Sequence, residues 1–179
     1  MQYNVRPPML RVDLLVQAAS VTSRENFAVA NTGLFLVAYS LASEAISFST
    51  RLHATVRGVL HADDVMGVFQ VAKSERNPYS ERISIGRAAN CDIVLRHASI
   101  SKLHAHFKPG RGAEAEAELV DFGSRNGTRV NDRKLLPNAP RVVASGDIIH
   151  FGGVPTRLVD AEGLYDLLRG DEPPLGQAM

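Results

Sequence analysis

The pattern of apolar and polar positions divides the chain into two parts. In the first part, residues 9–19 have the spacing of a short amphipathic helix. A second short helix is predicted to begin after Thr22 or Ser23, either of which can cap it, and to end near Asn31. The apolar run at residues 34–40 then predicts a buried strand.

The second part of the chain, from residue 65, consists of short runs rich in β-branched residues that are separated by turn residues. These runs are VMGVFQVAK, RISIGRA, CDIVL, HAHFKP, AELVDF, TRVN, KLL, IIHFG and TRLVD. Short strands with frequent turns are typical of an antiparallel sandwich or barrel. Residues 43–62 fit a strand or a helix equally well, and residues 161–169 predict a short amphipathic helix.

These patterns predict a mainly β protein. The expected fold is an antiparallel β-sandwich or barrel with a small N-terminal α+β extension and a short C-terminal helix. Residues 1–62 are the extension, which has no assigned role, and residues 63–160 are the β domain. Residues 161–179 are expected to form the short helix and a flexible tail.

Composition narrows the class of protein. The 179 residues are 45% apolar and 22% charged, which is ordinary for a globular chain and excludes general disorder. Twenty Lys and Arg against nineteen Asp and Glu give a net charge of +1, which excludes a histone-like nucleic-acid binder. The basic excess lies in residues 71–160. It indicates contact with an anion, but a random imbalance on a solvated surface explains it equally well.

The sequence predicts a cytoplasmic protein. Charged residues and prolines near the N-terminus stand where an export signal needs a continuous apolar run. The most apolar window, residues 27–41, is interrupted by turn residues and is too short to cross a membrane. Cys91 is the single cysteine, so neither an intramolecular disulfide nor a cysteine-rich zinc site is expected.

Four motifs follow one another within the β-rich part. They are Gly86-Arg87, Ser101-Lys102-Leu103-His104, Asn126-Gly127-Thr128 and Val130-Asn131. Their order, spacing and strand context resemble the forkhead-associated (FHA) domain over about residues 65–160, and the β domain at 63–160 is accordingly predicted to be an FHA domain. The resemblance implies an FHA/SMAD-like sandwich whose loops at one end bind phosphothreonine peptides, with no catalysis, cofactor or metal.

The residue types at these positions suit a phosphate group. A phosphothreonine carries about −1.5 to −2 charges and three acceptor oxygens. Arg87 follows a predicted strand and can bind two oxygens with its guanidinium, Ser101 offers a hydroxyl donor, and Lys102 adds a cation. Taken alone, Arg87 would be interpreted as a surface ion-pair partner of Glu81 or Asp92. The presence of the other motifs favours contact between Arg87 and a phosphate.

Two further contacts are implied by the resemblance. Asn126 matches the family residue whose amide hydrogen-bonds the peptide main chain beside the phosphothreonine. Arg125 stands where the family often has a Ser or Thr that can touch the phosphate, so it adds charge there or points to solvent. Asn126-Gly127 is also a strong hairpin signal, which leaves a turn role open for both residues.

Five residues are expected to support the loops: Gly86, His104, Gly127, Thr128 and Asn131. Gly86 permits close backbone packing under the loop. His104 is expected to hydrogen-bond loop backbone and to hold the Ser101 and Asn126 loops in register. Asn131 is expected to begin the next hairpin.

Three other interpretations are weaker. An FHA-like scaffold without phosphate dependence is disfavoured by the intact Arg87, Ser101 and Asn126. Nucleic-acid binding through the basic residues of 123–135 is disfavoured because no aromatic residue suited to stacking lies among them. An enzyme with Cys91 as nucleophile and His104 as base ranks last, because Cys91 stands at a variable position of the family.

A metal site is not predicted either. His104 and His106 would place both rings on one face of a strand, as in some metal sites, but no third ligand is apparent. We therefore expect a non-enzymatic phosphothreonine-peptide module of bacterial Ser/Thr-kinase signalling. Its expected partner is a threonine-phosphorylated protein, either a Ser/Thr kinase or its substrate, rather than a membrane or a nucleic acid.

Overall fold

The computed structural model describes residues 9–39, 65–109 and 116–170. In chain order these residues form β1 (Met9–Leu10), α1 (Val12–Val21), α2 (Arg24–Ala30), β2 (Phe35–Tyr39), β3 (Val65–Gln70), β4 (Ile83–Gly86), β5 (Ile93–Val94), β6 (Ala105–Pro109), β7 (Glu116–Asp121), β8 (Thr128–Val130), β9 (Arg133–Lys134), β10 (Pro140–Ala144), β11 (Ile148–Phe151), β12 (Val154–Val159) and α3 (Ala161–Arg169). The strands form two sheets, which confirms the predicted sandwich.

The seven-stranded sheet has the order β1-β3-β2-β12-β11-β8-β9, and the five-stranded sheet has the order β10-β7-β6-β4-β5. Neighbouring strands are antiparallel, except that β4 and β5 run parallel. The apolar core between the sheets includes Ile85, Phe107, Leu119, Ile149 and Phe151. The helices cover the outer face of the seven-stranded sheet, so the molecule has three layers.

Strand β2 is buried on both faces, which explains its uninterrupted apolar sequence. Leu36 and Ala38 face the core between the sheets, whereas Phe35 and Val37 pack beneath the helices. β2 lies between β3 and β12 in the middle of the seven-stranded sheet. The N-terminal segment therefore supplies a central strand of the sandwich, and does not merely pack against it as an extension.

The first helix begins later than the sequence pattern predicts. Met9 and Leu10 pair with Phe69 and Val68 of β3, so the helix expected over 9–19 begins only at Val12. Short-range periodicity does not report this long-range pairing. The region 43–62 and the tail after residue 170 lie outside the described residues.

The second and third helices agree with their sequence signals. Ser23 caps α2, with its side-chain oxygen accepting from the Asn26 N–H at 3.3 Å. The third helix occupies the predicted residues 161–169. Arg24 of α2 binds Asp166 of α3 through two hydrogen bonds of 2.8 and 2.7 Å, and so joins two helices that are far apart in sequence.

Strand β10 has no counterpart among the predicted strands. It begins at Pro140 and lies at the edge of the five-stranded sheet, where it pairs only with β7. An edge position tolerates proline and a largely exposed strand, so the apolar alternation that marks the other strands is weak here. Among the described residues, no helix is long and apolar enough to cross a membrane.

We predict that Leu36→Ala lowers the free energy of unfolding by about 2–5 kcal/mol, because Leu36 is fully buried in the core between the sheets. The matched control is Val29→Ala on α2, where the side chain is 80% exposed and the expected change is within about 0.5 kcal/mol. Urea unfolding of both variants measures the difference. Equal stability of the two variants would contradict the central role of β2.

Candidate functional site

The strand directions bring several described connections to one end of the sandwich. Residues 95–104 lead into β6, residues 122–127 lead out of β7, and residues 152–153 join β11 to β12 at the same end. The chain after β4 joins them there. These connections carry Arg87, Ser101, Lys102, Arg125 and Asn126, so the residues assigned to phosphopeptide contact come from three loops that meet.

Gly86 is the position where two of these loops come closest. A Cβ atom on Gly86 would lie 2.2 Å from the Lys102 carbonyl oxygen, so no other residue fits without moving backbone. The Arg87 N–H donates to the Ser101 carbonyl at 3.0 Å, and the Ala88 N–H donates to the Lys102 carbonyl at 3.1 Å. These contacts fix the start of the Arg87 side chain beside Ser101.

The Ser101 hydroxyl already has one partner. Its oxygen accepts from the Arg125 N–H at 3.1 Å, which ties the loop before β6 to the loop after β7. That bond uses an oxygen lone pair and leaves the hydroxyl hydrogen able to donate to a ligand. Ser101 is half-buried, so its oxygen is positioned but accessible.

His104 is fully buried at the start of β6, and both of its ring nitrogens are used. Nδ1 accepts from the Ser101 N–H at 3.1 Å, so the ring proton lies on Nε2, which donates to the Gly127 carbonyl at 3.2 Å. Burial lowers the pKa of His104, although the Gly127 carbonyl and the charge of Asp121 oppose the shift. The ring is therefore neutral near pH 7.

Asp121, at the end of β7, organises the loop that carries Asn126. Its carboxylate accepts from the Ser124 N–H at 2.8 Å, from the Ser124 hydroxyl at 2.7 Å and from the Thr128 hydroxyl at 2.6 Å. Burial alone would raise the pKa of Asp121, but the hydrogen bonds from Thr128 and Ser124 outweigh it and the pKa lies below its ordinary value. Both ends of the loop are thus fastened to one ionised carboxylate.

Asn126 is exposed, and its side-chain N–H donates to the Ser99 carbonyl at 2.7 Å. The side-chain carbonyl and the second N–H of this amide have no partner among the described residues, so both are available to a peptide main chain. Ser99 also accepts from the Gly153 N–H through its hydroxyl at 2.9 Å. Asn126 is therefore held against the loop before β6 and is not free on a mobile tip.

The hairpin suggested by Asn126-Gly127 does not form. The two residues lie in the connection between β7 and β8, which belong to different sheets. Gly127 has a φ of +76°, which a glycine adopts without strain, and it supplies the carbonyl that His104 binds. The positive φ explains why this residue is a glycine. The next hairpin, predicted to begin at Asn131, does form: Asn131 and Asp132 both have positive φ, as a type I′ turn requires.

Asn131 is not at the candidate site. It follows β8 at the opposite end of the strand from Thr128, and its amide binds Asp147 at 2.7 Å and the Ile148 N–H at 2.9 Å. Asn131 was expected to support the binding loops, but its side chain does not reach them. It joins β8 to the chain entering β11 instead. The three-residue length of β8 separates it from the loops.

The guanidinium of Arg87 is exposed and forms no hydrogen bond or ion pair with the described residues. The suggested partner Asp92 is fully buried and is bound by Ser74, Asn77 and Ser84, with Lys73 at 3.2 Å. Burial opposes ionisation of Asp92, but these donors outweigh it and its pKa is lowered. The surface ion pair considered for Arg87 is therefore absent from the described part of the chain.

Two other pairings considered from the sequence also fail. The Cys91 thiol donates to the Lys102 carbonyl at 3.3 Å, and burial raises its pKa, while both His104 nitrogens are engaged elsewhere. His104 and His106 do not share a face, because the strand begins only at residue 105. The His104 ring meets Phe151 in the interior, whereas the His106 ring meets Phe122 on the outer side.

Sequence reasoning missed Asp121 and the Gly152-Gly153 turn. Asp121 had a usable signal, since an Asp at a strand end with Ser three residues later favours a side-chain-to-backbone turn. Gly152-Gly153 between two apolar runs is a two-residue hairpin signal. A Cβ on Gly152 would lie 2.5 Å from the Ser99 carbonyl, so this turn sets how closely β11 and β12 approach the site.

Comparison with known families agrees with this arrangement. Residues 83–152 match the family model of the FHA domain, and this part of the chain belongs to that family, whose members are phosphothreonine-binding modules. The match runs from β4 to Gly152, the first residue of the turn after β11, and it includes the loops that carry Arg87, Ser101 and Asn126. Residues 83–152 are therefore an FHA domain.

Curated relatives include two bacterial proteins. The chain is 40% identical over 78 residues to an oxoglutarate dehydrogenase inhibitor of Corynebacterium diphtheriae, covering 44% of this chain and 49% of that protein. It is 41% identical over 69 residues to the glycogen accumulation regulator GarA of Mycolicibacterium smegmatis, covering 38% of this chain and 40% of that protein. The chain thus spans about half or less of their length.

Among solved structures, the FHA domain of the CT664 protein from Chlamydia trachomatis matches with a TM-score of 0.48 and 21% identity. The match covers 72% of this chain and 98% of that chain.

We predict that His104→Ala lowers the free energy of unfolding by about 1–3 kcal/mol, because the Ser101 N–H and the Gly127 carbonyl each lose a buried partner. His97→Ala is the matched control, since the hydrogen bonds that its half-buried ring forms with described residues go to Ser99 in its own loop. Thermal and urea unfolding measure both. An unchanged melting temperature for His104→Ala would contradict its structural role.

A pH dependence follows from the same ring. The pKa of His104 in the folded protein lies below the ordinary 6.5, so the unfolded chain binds a proton that the folded chain does not. Stability is therefore full above about pH 6.5 and falls as the pH drops below it. Burial also lowers the pKa values of His106 and His150, which act in the same direction.

Urea unfolding at intervals from pH 7.5 to 5 measures this dependence. The variant His104→Gln cannot titrate at this position and should show a shallower decline than the wild type. The low pKa values of Asp92 and Asp121 affect stability only at more acidic pH, so they do not obscure the comparison. Identical slopes for both proteins would show that His104 does not stay neutral in the fold.

Proposed function

We propose that the protein is a non-enzymatic module that binds phosphothreonine peptides and recruits threonine-phosphorylated partners in Ser/Thr-kinase signalling. The observation that carries the proposal is the exposed Arg87 guanidinium, which has no partner among the described residues, beside the accessible Ser101 hydroxyl. The Arg87 backbone N–H binds the Ser101 carbonyl, and the Ser101 hydroxyl accepts from the Arg125 N–H. Membership of the FHA domain family supports it. The partner is a protein carrying phosphothreonine, either a kinase or its substrate.

The proposed roles divide between the side chains. Arg87 binds two phosphate oxygens, Ser101 donates one hydrogen bond, and Lys102 and Arg125 add exposed positive charge. Asn126 hydrogen-bonds the peptide main chain with the amide groups that Ser99 leaves free. Each charge-assisted hydrogen bond contributes about 1.5–3 kcal/mol, so a few of them are sufficient for micromolar affinity.

The scaffold alternative places the same fold in a phosphate-independent complex. The two bacterial relatives are named as an inhibitor and a regulator, and such names suit a binding protein under either alternative. We further propose that the recruitment takes place in the cytoplasm of a bacterium. Phosphate dependence separates the two. The unpartnered donors at the site favour a ligand rich in acceptors, whereas a purely structural interface would leave them uncompensated.

We predict that Arg87→Ala abolishes binding to a phosphothreonine peptide library while the sandwich stays folded, because the exposed guanidinium makes no bond within the described chain. Fluorescence anisotropy with phosphothreonine, phosphoserine and unphosphorylated libraries measures this. Lys108→Gln, which removes one exposed charge from β6, is the matched control and should bind as the wild type does.

Binding of the phosphothreonine peptides should also weaken below about pH 6, as the phosphate gains a proton.

Wild-type affinity in a folded Arg87→Ala variant would remove Arg87 from the phosphate contacts. Failure of the folded wild type to bind any phosphothreonine peptide would instead favour the phosphate-independent scaffold.

A further inference from the structure

The charge at the candidate end of the sandwich is one-sided. The described connections at this end are residues 87–92, 95–104, 122–127, 135–139 and 152–153. Together with Lys134 at the end of β9 they contain five basic residues, Arg87, Arg96, Lys102, Arg125 and Lys134, and Asp92 is the one Asp or Glu among them. All five basic side chains are exposed. The carboxylates of Asp92 and of Asp121, the residue before the 122–127 connection, are buried, and their oxygens are used by neighbouring donors. One phosphate group does not require so many cations.

Lys134 stands out among these cations by its position. It lies on β9 directly opposite Arg129 of β8, and like charges in directly opposite positions destabilise a pair of strands. Neither side chain forms an ion pair with the described residues. The acidic residue of this hairpin, Asp132, lies at its tip and bridges neither cation.

The Lys134 side chain also extends to the candidate site. Its stem lies over Gly127, where a Cβ atom would be 2.8 Å from Cε and 3.6 Å from Nζ of Lys134. Gly127 follows Asn126, the residue proposed to bind the peptide main chain. A peptide held by Asn126 therefore passes next to the Lys134 ammonium group, with Arg129 behind it on the adjacent strand.

We propose that Lys134 and Arg129 form a second anion-binding subsite, which selects phosphothreonine peptides with a further negative group near the phosphothreonine. This inference rests on the proposed function, because it requires the peptide to lie along Asn126. The shared chemistry of that group is an anionic oxygen cluster, supplied either by an acidic side chain or by a second phosphate. Electrostatic complementarity of this kind acts on selectivity and association rate more than on total affinity.

The test compares three phosphothreonine peptides of one sequence by fluorescence anisotropy. One has alanine at every flanking position, one has aspartates distributed on both sides, and one has phosphoserines in the place of the aspartates. We expect the wild type to prefer the acidic peptides over the alanine peptide by about three- to fivefold, a preference that added salt reduces. The second and third peptides distinguish a carboxylate from a phosphate as the preferred group.

Lys134→Gln and Arg129→Gln should each reduce this preference by at least half, whereas Lys108→Gln, on the other sheet, should retain it. Using two subsite variants protects the test against misfolding of one, and melting temperatures check all three. An equal preference in Lys134→Gln and Lys108→Gln would overturn the subsite. So would a wild type that binds all three peptides alike, while Arg87-dependent phosphothreonine binding would then leave the proposed function intact.

A wild type that binds no phosphothreonine peptide would overturn the proposed function and this inference together. The last measurement is the binding of a single-stranded oligonucleotide to the same variants. If Lys134→Gln weakens oligonucleotide binding and leaves the peptide preference unchanged, the paired cations serve nucleic acid, and the peptide subsite is wrong.

Discussion

The arrangement of the candidate site depends on one neutral histidine. His104 lies just before β6 of the five-stranded sheet, and its Nε2 donates to the Gly127 carbonyl just before β8 of the seven-stranded sheet. The opposite nitrogen accepts from the Ser101 N–H. Because the bonds demand one acceptor and one donor, only the neutral ring in a single tautomer satisfies both. Complete burial keeps the ring in that state and so fixes the spacing of the two loops.

Two buried carboxylates, Asp121 and Asp92, hold other segments near the site in place. Asp121 fastens the loop that carries Asn126, and Asp92 fastens the chain between β3 and β4 to Ser84. Each stays ionised because backbone and hydroxyl donors surround it, which offsets the cost of burial. Since these charges are compensated inside, they do not neutralise the exposed cations of the loops. The site therefore presents basic side chains without an internal counter-charge.

Local signals predicted most strands, the capped helix α2 and the helix at 161–169, because each depends on periodicity or capping within a few residues. The motif order predicted which loops would meet. Long-range strand pairing could not be predicted from the sequence. Met9 and Leu10 pair with β3, and β10 lies at a sheet edge with little alternation of apolar and polar residues. The role of Asp121 was missed for a different reason: its bonds to Ser124 and Thr128 are local, and an Asp three residues before a Ser is a signal that was not used.

The site combines fixed and adjustable donors, and this division has a physical consequence. Ser101 and Asn126 are each held by a hydrogen bond to a neighbouring loop, so little conformational freedom is lost when they bind. Arg87 and Lys102 are fixed only at their backbone, and their side chains must be ordered by the ligand. Geometry is therefore set by the short polar side chains and charge by the long ones. A ligand that satisfies the short donors but carries no anionic oxygen has nothing to offset the ordering of the long side chains. Under the proposed function, this is the physical basis for discrimination between a phosphorylated and an unphosphorylated threonine.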